Sequence, residues 1–179
     1  MKKYQEWAKR EYSLKQRMVT LALAGVLVLL ILPSLVIFPA AAIDRWLQLP
    51  RFTAGALNLI LGLMLAIGGL SLGLWSVETQ ISLGRGTPVP IMPTQKLIAQ
   101  GPFAYCRNPM TLGTILAYLG LCVWLGSLSA LVIVLILAGA LLSYIKFIEE
   151  KELEARFGQA YLEYKRSTPF ILPRLRPRT

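Results

Sequence analysis

The sequence predicts an all-α integral membrane protein of about four transmembrane helices. Three observations carry that expectation. Of the 179 residues, 55% are hydrophobic, and the mean hydropathy is positive, a balance too apolar for an ordinary soluble domain. Apolar segments recur between short polar links, and none alternates with the period of a half-buried strand. Helices satisfy their own backbone groups in lipid, so such runs resolve as helices. Finally, lysine and arginine are spread unevenly over the links.

Residues 1–17, MKKYQEWAKREYSLKQR, form a basic N-terminal segment. Tyr4, Trp7, Ala8, Tyr12 and Leu14 make an uneven apolar stripe beside Lys2, Lys3, Lys9, Arg10 and Lys15. That pattern fits an interfacial helix with snorkelling lysines, or a solvated tail that fixes topology. The apolar run that follows is too long for a signal peptide and lacks a small-residue cleavage site.

Residues 18–77 read as a first transmembrane hairpin. Its first span, Met18 to Ile43, reaches across the ~30 Å hydrocarbon core, and Pro33 and Pro39 are expected to kink or end it. Asp44, Arg45, Trp46 and Arg51 form a short polar link. The second span runs from Phe52 to about Val77, with Gly55, Gly62, Gly68, Gly69 and Gly73 expected to let helices approach closely. Residues 78–107 make a loop rich in glycine and proline.

The second hairpin occupies residues 108–148. It opens on Asn108-Pro109, an N-cap followed by proline at the first helical position. Its first arm ends near Trp124, short for a crossing that needs about 20 residues. Gly126-Ser127 turns the chain into Leu128 to Ile148. Residues 149–179 leave the bilayer as a charged helix, EEKELEARFGQAYLEYKR, and a basic tail. Leu153, Phe157, Tyr161 and Tyr164 give that helix one apolar face, suited to packing over the central loop or lying on headgroups. Pro169, Pro173 and Pro177 end helical structure, and Arg174, Arg176 and Arg178 suit either anionic lipid or a solvated terminus.

Six lysines and arginines precede the first span, three lie between the second and third, and eight end or follow the fourth. Only Arg45 and Arg51 separate the first two spans. Both termini and the central loop should therefore face the cytoplasm. The net charge of +10 thus points to a membrane rather than to nucleic acid. With no histidine, and Cys106 and Cys122 as the only cysteines, the sequence argues against a histidine- or cysteine-rich metal centre, His-dependent triads and a disulfide framework.

The stretch from Leu83 to Gly113, LGRGTPVPIMPTQKLIAQGPFAYCRNPMTLG, organises the rest. It carries Gly84, Gly86, Gly101, five prolines and Arg107, too much local stiffness for a slack linker. It reads as a membrane-face cofactor site. Arg107, beside the Asn108 cap, is either a carboxylate-binding corner or an interfacial arginine that sets topology. Glu149 and Glu150 either accept hydrogen bonds from ribose hydroxyls or an ammonium, or mark a helix exit.

The order GRGTPVP, LIAQGPFAYCRNPMTLG, an apolar hairpin and then EEKELEARFGQAYLEYKR resembles the isoprenylcysteine carboxyl methyltransferase and phospholipid methyltransferase superfamily, from about Trp75 onwards. The resemblance implies S-adenosylmethionine as methyl donor, held on the cytoplasmic side by the loop, the second hairpin and the C-terminal helix. It assigns Gly101, Pro102, Tyr105, Arg107, Asn108, Pro109, Gly113, Glu149 and Glu150 to the cofactor, with Arg107 and Glu150 also catalytic. Gly84 and Gly86 match a glycine pair seen in bacterial relatives and are expected to shape the loop; the expected location is a bacterial inner membrane. Departures are Asn108, where the eukaryotic prenylcysteine enzymes have histidine, Thr111, where many relatives have tyrosine, and Lys151, where a proline often follows the acids. They leave the acceptor open: a lipid-like or prenylated molecule or protein offering a carboxylate, amine or hydroxyl. For an amine or hydroxyl, Glu149 or Glu150 would take the proton. The rival expectations are an NADPH-dependent reductase of the steroid-reductase type and a non-catalytic lipid-binding or assembly protein.

Overall fold

In the computed structural model, which describes residues 13–52, 55–84, 87, 89 and 94–176, all regular structure is helical. The stripe expected on residues 4–12, and Gly86 of the glycine pair, lie outside the described residues. Helix α1 (Leu14–Val26) passes through a π turn (Leu27–Ile31) into α2 (Leu32–Trp46). After α3 (Ala56–Gly84) come α4 (Pro109–Leu125) and α5 (Leu128–Tyr144). A second π turn (Ile145–Glu149) joins α5 to α6 (Glu150–Phe157), and α7 (Gln159–Ser167) follows.

The stretches Lys15–Trp46, Ala56–Gly84 and Leu128–Phe157 are long and apolar enough to cross a membrane, whereas Pro109–Leu125 is shorter. Three helices thus have crossing length, and the third apolar segment, read as short for a crossing, is the shorter helix α4. Leu23, Leu35, Phe38, Met64 and Ile136 are exposed on outward faces that lipid would cover.

The first helix begins earlier than its apolar run, because Ser13 and Gln16 close a capping box. Gln16 N–H donates to Ser13 Oγ at 3.3 Å, and Ser13 N–H donates to Gln16 Oε1 at 3.0 Å. Neither proline ends it. The Leu32 N–H reaches back to the Leu27 carbonyl, which leaves the Val28 carbonyl to pair with position 33. Proline has no N–H to give, so Tyr118 of α4 supplies the donor instead, its hydroxyl 2.6 Å from the Val28 carbonyl.

The second span outruns its expected end. Glu78, Thr79 and Gln80 read as loop by polarity, yet α3 continues to Gly84. Ser76 and Thr79 spend their hydroxyls on the Leu72 and Trp75 carbonyls of the same helix, at 2.7 and 2.8 Å, and so cost the helix nothing in unpaired polar groups.

Helices α3 and α4 pack antiparallel along a seam of small residues: Gly62 lies against Gly120 and Trp124, Gly69 against Gly113 and Ala117. A Cβ on Gly62 would come within 2.8 Å of the Gly120 carbonyl, and one on Gly113 within 2.8 Å of the Gly73 nitrogen. Gly62 and Gly69 thus take the packing role expected of such glycines, whereas nothing lies near Gly68 or Gly73 at their own Cβ positions.

On the other side, α2 packs on α5 around Val36, Ala40, Cys122, Ala130 and Val134. One end of the bundle is tied by Asp44, which accepts from Ser127 Oγ at 2.5 Å and from Ser129 N–H at 3.1 Å. Asn58 donates to the Phe52 and Val123 carbonyls at 2.7 and 2.9 Å. Gly126, with φ of 62°, makes the tight turn there.

With that end tied, the length difference appears at the other. Gly113 faces Gly69 and Gly73, so the start of α4 lies level with the residues just after Gly73, and α3 continues past it to Gly84. At 1.5 Å per residue the overshoot is about 12 Å. The link to α4 and the C-terminal helices close over the space beside it.

Gly69→Ala should therefore destabilise the protein by about 1–3 kcal/mol through overpacking. Gly68→Ala, one residue away in open space, should be neutral or stabilising by up to ~1 kcal/mol. Thermal unfolding of the two variants in detergent checks the contrast.

Candidate functional site

The link from α3 to α4 is pinned at both ends. Gly84 lies so close to the returning chain that a Cβ there would meet Ile98 and Thr94 at 2.8 Å, and its carbonyl accepts from Gln95 N–H at 2.8 Å. Gly101 takes φ of 58° and approaches Thr79, whose Oγ1 would be 3.1 Å from any Cβ, so glycine is needed for both torsion and space. A 3₁₀ turn (Gly101–Ala104) follows with Pro102 fully buried, and the Tyr105 ring lies 6.4 Å from that of Trp75.

Arg107 is nearly saturated. Its Nε and Nη2 donate to Glu150 Oε1 at 3.0 and 2.6 Å. Its Nη1 donates to the Lys165 and Thr168 carbonyls, both at 2.8 Å. Its backbone N–H donates to the Pro169 carbonyl at 2.9 Å, and its guanidinium lies over the Phe170 ring. Glu150 is 2% exposed, and its other oxygen takes Lys165 Nζ at 2.9 Å. Of the three groups, Lys165 has its pKa raised, first by the Glu154 hydrogen bond and then by Glu150. The carboxylate held by Arg107 is thus one of the protein's own.

Asn108 occupies the N-cap position, but its side chain makes no cap. It donates instead to the Phe170 carbonyl at 2.9 Å, fastening the chain after α7 to the start of α4. Pro109 is buried as the first residue of α4, and Gly113 faces the seam with α3. Arg174, expected to meet lipid, donates to the Ala104 carbonyl and to Thr168 Oγ1 at 3.3 and 3.2 Å. Cys106 is buried beside them, and burial pushes its thiol pKa up.

Of the two placements open to the C-terminal helix, the structure shows packing over the loop. The helix breaks at Gly158, which sets α7 against the 3₁₀ turn. Tyr164 donates to the Phe103 carbonyl at 2.7 Å, and Arg156 donates to the Thr94 carbonyl.

These contacts enclose a cleft of about 130 Å³ between α3, the 94–98 strip, the start of α4, α6 and α7. Leu97, Ile98, Phe103, Leu153 and Phe157 give it apolar walls. Arg107, Asn108, Glu149 and Glu150 also line it, but only Glu149 among these has no hydrogen bond or ion pair to the described residues. The second π turn precedes Glu150 and leaves the two acids in different settings, Glu150 buried and Glu149 exposed.

Three further groups line the cleft. Lys96 is exposed at its rim and unpaired among the described residues. Tyr161 is 2% exposed and its hydroxyl makes no hydrogen bond to them; burial, then Glu150, raises its pKa. Gln80 has a buried Oε1 that accepts no hydrogen bond, a deficit of about 1–3 kcal/mol. Sequence reasoning missed Gln80 and Lys96. Gln80 had a signal: it continues the helical register Gly69, Gly73, Ser76 into Gly84. Lys96 had none.

Residues 57–160 match the family model for phospholipid methyltransferase, which spans α3 to the start of α7 and includes every residue expected to hold a cofactor. No curated protein and no solved structure matches the chain significantly.

Arg107→Ala should leave the buried Glu150 carboxylate with the Lys165 contact but without its guanidinium and cost up to about 3–5 kcal/mol, and Glu150→Gln in the same chain should restore part of the loss. Thermal unfolding of both single variants and the double variant measures that coupling; strictly additive losses would show the pair to be independent. Because the folded pKa of Lys165 is raised from 10.5, its contribution is complete below that value and is lost as pH rises through the folded one. The Tm difference between wild type and Lys165→Met should hold below about pH 10 and close above it.

Proposed function

The chain belongs to the phospholipid methyltransferase family, and from that premise we propose that it is an S-adenosylmethionine-dependent methyltransferase acting on a lipid-like or prenylated acceptor in the membrane. Three helices of crossing length and the family together make it an integral membrane protein. The distribution of lysine and arginine supports a topology with both termini and the cleft on the cytoplasmic face, as in a bacterial inner membrane.

The observation that carries the reading is the cleft's inventory of groups that no described residue engages: Glu149, Lys96, the Tyr161 hydroxyl and Gln80 Oε1 around apolar walls. This set fits a ligand that is zwitterionic at one end and carries hydroxyls and a flat apolar body. Glu149 is suited to an ammonium or a ribose diol. Among the described residues that line the cleft, Lys96, rather than the nearly saturated Arg107, is the cation left for a free carboxylate. Arg107 and Glu150 then support the site by fixing α4, α6 and the segment after α7 against one another, and Gly101 and Pro102 set the floor under it.

S-adenosylmethionine supplies an already activated methyl group. The protein's work is to hold the acceptor in line with it and to exclude water, which the apolar walls do. A carboxylate acceptor needs no base. For an amine or hydroxyl acceptor, Glu149 takes the proton, since both oxygens of Glu150 are engaged. The family assignment does not favour the nucleotide-reductase or non-catalytic readings.

Calorimetry on the purified protein should show binding of S-adenosylmethionine and its demethylated product, and none of NADPH. Glu149→Gln should weaken cofactor binding about ten- to hundredfold, the usual cost of a hydrogen bond to a charged group, with Tm unchanged. Wild-type affinity in that variant would remove Glu149 from the site, and binding of NADPH alone would overturn the methyltransferase reading.

A further inference from the structure

Resting on the adenosyl-cofactor reading of the cleft, we infer that Gln80 recognises the cofactor's base, its amide facing the 6-amino edge of adenine. Gln80 stands on the part of α3 that overshoots α4, where the helix borders the cleft. Glu78 on that stretch is exposed to solvent, and the hydroxyl side chains beside it are satisfied locally. Ser76, Thr79 and Ser82 return their hydroxyls to the Leu72, Trp75 and Thr79 carbonyls of their own helix. Gln80 Oε1 differs from them: it is buried and takes no donor among the described residues. A fold that satisfies its neighbours and leaves this acceptor open is set to take a hydrogen bond from a molecule that enters the cleft.

The chemistry of the walls selects the donor. An adenosylmethionine-type ligand offers an ammonium, a ribose diol and an aromatic amine. The first two are met best by a carboxylate, and Glu149 is available for them in the same cleft. The amine comes attached to a flat apolar ring, which suits Ile98 and Phe103, both largely buried, together with Leu97 and Phe157. A primary amide carries an acceptor and a donor in one plane. That pair complements adenine, whose amino group donates while the adjacent ring nitrogen accepts. A carboxylate or hydroxyl at this position would lack the fixed pairing of the two.

The test compares two ligands on the full chain in detergent: S-adenosylhomocysteine and its purine analogue lacking the 6-amino group. Wild type should prefer the amino ligand by about tenfold. Gln80→Met, similar in length and apolar, should bind both about equally. Its Tm without ligand should match or exceed that of wild type, because it removes an unsatisfied buried acceptor, whereas a structural glutamine would lower it. Equal affinity of wild type for the two ligands, or an undiminished preference in Gln80→Met, would overturn the assignment while leaving the methyltransferase reading intact. If wild type binds neither ligand, that reading falls and the assignment with it.

Discussion

The buried contact between Arg107 and Glu150 is the constraint on which the cleft depends. Arg107 sits at the start of α4, Glu150 at the start of α6, and the same guanidinium holds the carbonyls of Lys165 and Thr168 at the end of α7. One planar side chain thus fixes the relative positions of elements more than forty residues apart in sequence. A lysine could supply the charge but not the directions. Pairs of this kind add little net stability, because desolvation offsets most of the attraction, yet losing one partner strands the other. The contact therefore acts chiefly on geometry, which is what the proposed methyl transfer would require of the cleft.

Space for the cleft comes from a difference in helix length. The glycine seam locks α3 and α4 in antiparallel register, and the Asn58 and Gly126 contacts tie them at one end. The shorter α4 must then start about 12 Å below the end of α3. That recess is roofed by α6 and α7 and floored by the 3₁₀ turn at Gly101. The glycines of the seam set this register; Gly113 alone among them was a candidate for the site, and it too lies in the seam.

The expected site residues divide by role. Gly101, Pro102, Asn108 and Pro109 shape the link, Arg107 and Glu150 hold each other, and no described residue engages the Glu149 carboxylate. An arginine near a paired acid motif can serve a ligand or the protein itself, and the two uses leave the same mark in a sequence. Counting donors and acceptors in three dimensions separates them.

By itself the sequence determined the helical class, the membrane setting, the short third apolar segment, the turn at Gly126 and the family, because hydropathy, proline and glycine positions and motif order are local properties. It did not determine where α3 ends. Glu78 to Gln80 read as loop because polarity marks exposure to water, whereas helical structure continues wherever backbone and hydroxyl groups are satisfied. Nor could it say that Asn108 would fasten Phe170 rather than cap a helix, or that the tail helix would break at Gly158 and turn Tyr161 and Tyr164 inward. Those outcomes were decided by tertiary structure, since each depends on a partner far along the chain. Whether a buried polar group is spent or free follows only once all its neighbours are in place.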